Sequence, residues 1–141
     1  MFTEHGFFNV ELRGNILFLY MEGAWNIETS MGFQDAISEA IKPIEGQPWA
    51  AITSMDNWEL CTPDCEPVFF ETIKEGIAKG MIREAVVNNS GTIKLQLFEK
   101  YRNVKLPSDI KIPFKRYIFQ EQKAAMNWLK KEGFGDGNVE T

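Results

Sequence analysis

Residues 8–21 read FNVELRGNILFLYM and hold two strand patterns on either side of a turn signal. From Phe8 to Arg13, apolar residues alternate with polar ones, which is typical of a strand with one buried face. Gly14-Asn15 is a composition that favours a two-residue hairpin loop. The run that follows, Ile16–Met21, is apolar throughout, as in a strand covered on both faces. The stretch therefore predicts a β-hairpin whose second strand lies within a sheet.

Beyond the hairpin, capped helical stripes alternate with short strand-like runs. Asn26 is a candidate N-cap for a first helix, which Pro43 ends. Thr62 followed by Pro63 is a candidate start for a second helix, although Pro67 leaves that boundary open. The predicted strands are Phe8–Arg13, Ile16–Glu22, Trp49–Thr53, Ile82–Asn88 and Phe114–Phe119.

Helices are also predicted after the fourth and fifth strands. One has an apolar stripe from Ile93 to Tyr101, and the last, Glu121–Lys131, is expected to bury Trp128 and Leu129. A hairpin followed by alternating helices and strands indicates an α/β fold with the order β-β-α-β-α-β-α-β-α. We therefore expect a mixed, mostly parallel five-stranded sheet with about four helices.

The chain has the size and composition of one folded domain. It has 141 residues, of which 44% are hydrophobic and 13% aromatic, which is enough to form a core without disulfides or metals. Because no linker or repeat divides it, residues 1–134 are predicted to form a single domain. Residues 135–141 carry little apolar surface and are predicted to be a flexible C-terminal tail.

The charge distribution bears on partners and location. The net charge of −5 argues against nucleic-acid binding, because phosphate contacts require clustered Lys and Arg. The locally basic stretch Lys94–Arg116 is expected to be a solvated face, with an anionic partner or a membrane surface as the alternative. No signal-peptide pattern or membrane-spanning run is present. A cytoplasmic location without membrane insertion, with Cys61 and Cys65 reduced, is therefore expected.

The last strand and the last helix carry a recognisable pattern. A strand that ends in Phe119-Gln120 is followed by residues 121–129, EQKAAMNWL. This arrangement is similar to the final strand and the EEA…WL helix of the STAS domain, and Ile82–Val87 is similar to that family's fourth strand. The STAS fold is that of bacterial anti-sigma-factor antagonists and of sulfate-transporter tails. The chain looks most similar to divergent SpoIIAA-like proteins, and the resemblance, over residues 8–134, implies a STAS-like (SpoIIAA-like) fold.

One feature of that family is missing. Phosphorylated STAS antagonists carry an Asp-Ser-Ser-Gly-type signature where the second helix begins, whereas residues 54–64 here form a longer polar segment without it. Thr62 could replace the phosphoacceptor, with Ser54 as the second choice, but Asp64 and Glu66 would repel a phosphate. Thr62 is therefore interpreted as a helix cap.

No catalytic or metal-binding motif is visible in the sequence. His5 is the single histidine, and a metal site or a charge-relay triad needs imidazole beside further ligands or a nucleophile. Cys61 and Cys65 straddle a predicted helix start, where a thiolate is favoured. Ordinary packing is the preferred interpretation of the two thiols, and a redox-sensitive pair is the alternative. The chain is therefore predicted to be no enzyme and to hold no metal or cofactor.

A binding edge is predicted from the rule that ligands of α/β sheets collect at the carboxyl ends of the strands. Residues 23–26, 54–64 and 88–91 would meet there. The third segment could hold an anion on its backbone amides, although turn formation and capping also account for it. Trp25 and Trp58 could form an adaptive contact surface there, although Trp25 covering the core beside the hairpin is the preferred interpretation of that residue. The predicted edge residues are Trp25, Ser54, Asp56, Trp58, Cys61, Thr62, Asn89 and Ser90.

Two functions follow from these features. The preferred one is a non-catalytic regulatory or protein-binding module with a protein partner at the predicted edge, and a homodimer is left open. The alternative is a small apolar-molecule or lipid-binding domain of SEC14-like character, because the two folds share a loose architecture and the chain is rich in Phe. Both functions rest on fold analogy. A dry internal pocket would favour the second function over the first.

Overall fold

The computed structural model describes residues 6–89 and 113–137. Its elements in chain order are β1 (Phe7–Arg13), β2 (Ile16–Trp25), α1 (Ile27–Ala40), a short 3-10 turn (Lys42–Ile44), β3 (Trp49–Cys61), α2 (Glu66–Ala78), β4 (Met81–Val87), β5 (Lys115–Phe119) and α3 (Gln122–Lys131). The predicted helix with the stripe from Ile93 to Tyr101 lies outside the described residues.

The five strands form one sheet in the order β1-β2-β3-β4-β5. Strand β1 is antiparallel to β2, and β2 to β5 run parallel to one another. At the hairpin turn Gly14 has a φ of +60°, and Asn15 has no positive φ, the pattern of a type II′ turn with glycine first. The predicted hairpin and the mixed, mostly parallel five-stranded sheet are confirmed.

Strands β2 and β3 are longer than their sequence patterns predict. The predicted ends were Glu22 and Thr53, but pairing continues to Trp25 and Cys61. Two register shifts interrupt the β2–β3 ladder near Gly23, whose φ of +76° favours glycine. Polar residues between Ser54 and Cys61 therefore belong to a half-buried strand, not to a loop.

Helix α1 begins where its cap predicts. The Asn26 side chain accepts a hydrogen bond from the Thr29 backbone N–H at 2.9 Å, and Asn26 itself has extended backbone angles. Glu28 lies in the first turn, where the helix dipole favours a negative charge. The helix ends at Ala40, and Pro43 lies in the 3-10 turn that follows.

The helices lie on opposite faces of the sheet. Sequential parallel strands with right-handed crossovers place their connecting helices on one face, and α1 packs against α2 there. Helix α3 follows the last strand and packs on the other face, against β3, β4 and β5. Each face therefore has its own apolar core.

An aromatic cluster lies between the sheet and helices α1 and α2. It takes one ring from each of five elements: Phe8 (β1), Trp25 (β2), Phe33 (α1), Trp58 (β3) and Phe69 (α2). Neighbouring ring centroids are 4.9–6.3 Å apart, mostly in edge-to-face geometry. Such pairs add about 0.5–1.5 kcal/mol each to the energy of burial. The cluster therefore fixes two helices against three strands.

The last helix is anchored differently from the prediction. Leu129 is completely buried, as expected, but Trp128 is only partly buried. Its ring lies 5.0 Å from the ring of Tyr117 and 5.6 Å from that of Phe119. Trp128 therefore lies over the short edge strand β5, where no further strand covers it among the described residues.

The predicted tail is held at its first residue. The Gly135 carbonyl accepts a hydrogen bond from the Asn15 N–H at 3.1 Å, and the Gly135 N–H donates to Asn15 Oδ1 at 2.9 Å. Gly137 also packs against Gly14. Gly135 and Gly137 therefore contact the hairpin turn, residues 138–141 lie outside the described residues, and the flexible tail predicted for residues 135–141 stays a prediction.

A buried ion pair links the two strands at the β5 edge. Arg116 Nε donates to Glu84 Oε1 at 2.5 Å, and the Thr53 hydroxyl donates to Glu84 Oε2 at 2.8 Å. The Arg116 and Glu84 side chains are 11% and 8% exposed. Because a charge in such surroundings needs a partner, each side chain depends on the other.

Glu84→Gln should lower the free energy of unfolding by about 3 kcal/mol, because the Arg116 charge stays buried without its carboxylate. Urea denaturation measures this. Glu39→Gln removes an exposed ion pair with Lys42 and should cost less than about 0.5 kcal/mol. Equal losses for the two variants would contradict this account of the buried pair.

Gly76→Ala should raise the free energy of unfolding by about 0.5–1 kcal/mol, because alanine favours the helix and has room. A Cβ at residue 76 would lie 3.5 Å from Met81 Cε, an ordinary contact distance. Gly80→Ala is the contrasting variant, since Gly80 has a φ of +118° and its Cβ would meet the Gln47 carbonyl. It should destabilise, and stabilisation by Gly80→Ala would contradict the backbone described for this turn.

Candidate functional site at the carboxyl edge

The carboxyl ends of the parallel strands and the N-termini of α1 and α2 lie at the same end of the sheet, which we call the carboxyl edge. Strand β2 ends at Trp25, one residue before the Asn26 cap. Strand β3 ends at Cys61, and a turn of four residues leads to α2. Strand β4 ends at Val87. The residues that the sequence predicts for binding come mainly from these three ends.

Trp25 and Trp58 are core residues, which corrects the exposed contact predicted for Trp58 and the place of both residues on the predicted binding edge. They are 0% and 2% exposed, and their rings meet at 89° with centroids 6.3 Å apart. Trp25 Nε1 donates to the Glu22 carbonyl at 3.0 Å, and Trp58 stacks on Phe69. The interpretation of Trp25 as covering the core, which the sequence favoured, is the one the structure supports.

Ser54, Asp56 and Asn89 join the ends of β3 and β4. Ser54 is half-buried and pairs in register with Val87, the last residue of β4. Asp56 Oδ1 accepts a hydrogen bond from the Asn89 N–H at 2.6 Å. This backbone amide is therefore occupied by a carboxylate of the chain. Ser90 lies outside the described residues.

Thr62 does not cap helix α2, which corrects its predicted role. The helix begins at Glu66 with Cys65 as N-cap, and no side chain accepts a hydrogen bond at this cap. The Thr62 hydroxyl donates instead to Asp64 Oδ1 at 2.5 Å, and the Thr62 carbonyl accepts from the Cys65 N–H at 2.9 Å. Pro67 in the first turn explains the later start.

Cys61 and Cys65 form a thiol pair across this turn. Cys65 is completely buried and Cys61 is half-buried. A hydrogen bond from the Cys61 thiol lowers the pKa of Cys65 to about 7, while burial and the carboxylates of Asp64 and Glu66 oppose this shift. Through the same hydrogen bond, the pKa of Cys61 is raised far above its ordinary value. The negative charge is therefore favoured on Cys65 over Cys61.

Ser30 is a member of this site that the sequence did not indicate. It lies in α1, is completely buried, and its hydroxyl helps to lower the pKa of Cys65. Ser30 Oγ has no hydrogen-bond partner of regular geometry among the described residues. The contact joins residues 35 positions apart, so a local sequence pattern could not show it.

The carboxyl edge is acidic. The chain has no Lys or Arg between Arg13 and Lys42 or between Lys42 and Lys74, and both segments reach this edge. The acidic residues of the two segments near the edge are Glu22, Glu28, Asp56, Glu59, Asp64 and Glu66.

Leu60 is the large apolar side chain exposed at the end of β3. It is 54% exposed and pairs in register with Ala24 of β2. The β3–β4 pairing stops at Ser54, so no described strand pairs with the other side of β3 beyond that residue. Sequence analysis did not select Leu60, because the alternation that exposes it appears only once the segment is known to be a strand.

A small cavity lies between α1, α2 and the sheet. Its volume is about 30 Å³, and its lining is mainly apolar, with Thr53 and Glu84 as polar members. Pockets that bind drug-sized molecules measure roughly 300–1,000 Å³. This cavity therefore gives no support to the alternative of a lipid or small-molecule carrier.

The described residues contain no group of three or more His, Cys, Asp or Glu side chains that could hold a metal ion. Among the helices in the described part of the chain, none has both the length and the apolar character needed to cross a membrane. His5 lies outside the described residues.

Sheet order, hairpin and helix placement define a mixed α/β module with a SpoIIAA-like fold. The chain is similar to the crystal structure of an uncharacterized protein from the DUF3478 family with a SpoIIAA-like fold, from Shewanella loihica PV-4. The TM-score is 0.67 at 13% sequence identity, with 92% of this chain and 98% of that chain covered. No protein-family model matches the chain. No curated protein matches it either. The similarity confirms the predicted fold.

Trp58→Ala should lower the free energy of unfolding by about 3–5 kcal/mol, through lost burial and a cavity in the aromatic cluster. Urea denaturation measures the loss. Leu60→Ala, two residues along the same strand, should change it by less than about 0.5 kcal/mol, since Leu60 is exposed. If Trp58→Ala were as mild as Leu60→Ala, Trp58 would not be a core residue.

Proposed function

We propose that the chain is a non-catalytic, SpoIIAA-like regulatory module that acts in the cytoplasm by binding a protein partner at its carboxyl edge. The observation that carries this proposal is the combination of an acidic surface and the exposed Leu60 at the end of β3. Interfaces of this type place an apolar contact inside a polar rim. The fold supports a regulatory module by analogy only.

The end of β3 supplies the central contact of the proposed surface. Between Asn57 and Cys61, strand β3 pairs with β2 on one side, and the described part of the chain places no strand on the other. Unpaired strand backbone offers N–H and C=O groups to an added segment of a partner. Leu60 and Glu59 are both exposed beside this backbone.

The charge of the edge specifies the partner's chemistry. Carboxylates lie in the first turns of α1 and α2, at Glu28 and Glu66, and beside Leu60, at Glu59. A partner with Lys and Arg around an apolar centre is complementary to this surface. Such attraction acts over about 8–10 Å and weakens as salt screens it.

A non-catalytic role is supported by the polar groups of the edge. The Thr62 hydroxyl donates a hydrogen bond to Asp64, and the Asp56 carboxylate accepts one from the Asn89 N–H. The Thr62 and Asp56 side chains therefore have structural roles. A hydroxyl nucleophile requires an adjacent general base such as histidine. The described residues contain no histidine.

Glu59→Lys should reduce partner capture from host lysate at least about five-fold, because it reverses a charge beside the proposed contact. Leu60→Asp should abolish capture while the free energy of unfolding stays near that of the unchanged chain. The measurement is quantitative mass spectrometry of immobilised protein, at low and at high salt.

Glu45→Lys is the matched control, because Glu45 is an exposed carboxylate beyond the 3-10 turn, at the opposite end of the sheet. It should leave capture unchanged. The proposal is wrong if the same partner is captured equally by the Glu59→Lys, Leu60→Asp and Glu45→Lys variants, or if capture is insensitive to salt.

A further inference from the structure

Strand β1 leaves one of its two backbone edges unpaired among the described residues. It is the first strand in the sheet order and pairs with β2 alone. Its seven residues, Phe7–Arg13, pair with β2 without a register shift and include no proline or lysine. Short length, lysine, proline and bulges are the features by which sheet edges usually avoid pairing with another chain. Strand β1 has none of these features.

Strand β5, at the other edge of the sheet, is the contrasting case. It has only five residues, Lys115–Phe119, and it begins with a lysine and an arginine. Both its length and its basic residues disfavour pairing with a further strand. Of the two edges, β1 is therefore the one suited to receive another strand.

The hairpin turn determines which backbone groups of β1 point outward. In a two-residue turn, the backbone groups of the flanking residues, here Arg13 and Ile16, bond to each other. Since such bonded pairs alternate with non-bonded pairs along an antiparallel ladder, the N–H and C=O groups of Phe8, Val10 and Leu12 point away from β2. These outward groups are available to a strand of another molecule.

We propose that the chain forms a homodimer in which β1 pairs antiparallel with β1 of a second copy, with Val10 on the twofold axis. Such a contact is isologous, so each pair of opposed residues occurs twice. The opposed pairs across the axis are Phe7 with Arg13, Phe8 with Leu12, and Asn9 with Glu11. The contact joins two five-stranded sheets into one and is independent of the partner proposed above.

Other registers of the same pairing are less favourable. Half-buried and exposed residues alternate along β1, so an axis between two residues would place apolar side chains of one copy opposite polar ones of the other. An axis through Glu11 would place two carboxylates directly opposite each other, which is destabilising. An axis through Asn9 or Leu12 would leave part of each strand unpaired. Only the axis through Val10 pairs all seven residues.

The exposed side chains of β1 are complementary in this register. The Glu11 carboxylate can accept a hydrogen bond from the Asn9 amide of the second copy, and Arg13 lies opposite Phe7. Phe7 is 54% exposed in the single chain. The Arg13 guanidinium already lies 4.8 Å from the centroid of the Phe18 ring, and a second aromatic ring adds another favourable contact of this kind.

The other face of β1 is apolar and also gains cover from a second copy. Phe8, Val10 and Leu12 are only partly buried and pack against the core that lies beneath α1. In the dimer Phe8 lies beside Leu12 of the second copy, and the two Val10 side chains meet at the axis. The two cores are thereby joined by one row of apolar side chains, whose burial favours association.

Sedimentation velocity of the full-length chain over a range of micromolar concentrations tests the dimer. The unchanged chain should convert from monomer to dimer as its concentration rises. Asn9→Glu places a carboxylate opposite Glu11 at two points of the interface and should raise the dissociation constant at least about ten-fold. Adding Glu11→Lys to Asn9→Glu makes the opposed charges attractive and should restore the constant to within about three-fold of the original.

Gln120→Glu is the matched control, because it makes the same change from amide to carboxylate just beyond β5, at the other edge of the sheet. It should leave the dissociation constant unchanged. Asn9 and Gln120 are both exposed in the single chain, so circular dichroism should show that the variants fold.

A disulfide reports the register directly. Val10→Cys places two thiols opposite each other at the axis, with Cα atoms about 5.5 Å apart, which a disulfide can span. Air oxidation should give a dimer crosslinked through residue 10, which peptide mass mapping locates. Leu12→Cys is the control and should form no crosslink at residue 12, because that residue lies opposite Phe8.

The inference is wrong if the unchanged chain stays monomeric at every concentration, or if Asn9→Glu weakens the dimer no more than Gln120→Glu does. It is also wrong if residue 12 forms the crosslink and residue 10 does not. Should Asn9→Glu fail to fold, the position of the crosslink decides the question by itself.

Discussion

The perpendicular contact between Trp25 and Trp58 is the interaction on which the rest of the structure depends. It joins the far ends of β2 and β3, which have no described strand beyond β3 to support them. Phe33 and Phe69 bring α1 and α2 onto the same two rings, so the helix N-termini are placed at the carboxyl edge by aromatic packing. The thiol pair and the acidic surface lie where they do because this cluster holds both helices there.

Local patterns were sufficient for much of the fold. Gly14-Asn15 and the Asn26 cap act within a few residues, so the hairpin and the start of α1 could be predicted from the sequence. The full length of β3 could not be predicted from the sequence. Its second half mixes polar residues with the buried Met55 and Trp58, and this pattern is recognisable as a strand only from its pairing with β2. The burial of Trp58 could not be predicted for the same reason.

The candidate site was predictable only in its location. The rule for parallel strands identifies the carboxyl edge, but the roles of individual side chains depend on contacts between distant residues. Asp56 accepts a hydrogen bond from the Asn89 N–H, and the Ser30 hydroxyl helps to lower the pKa of Cys65. Neither contact can be predicted from the spacing of the residues in the sequence. Leu60 was overlooked because its exposure follows from the strand pairing. Cys61 and Cys65 lie only four residues apart, so that they share one turn could be expected from the sequence.

The contact between Gly135 and Asn15 has a consequence for folding during translation. The two residues are 120 positions apart, and the turn they stabilise is translated near the beginning. The hairpin therefore emerges early, but its turn obtains these two backbone partners only when synthesis is almost finished. Contacts this distant in sequence form slowly, so the amino-terminal hairpin lacks its hydrogen bonds to Gly135 during most of translation. A product that ends before residue 135 would retain all five described strands, but its hairpin turn would lack both hydrogen bonds to Gly135.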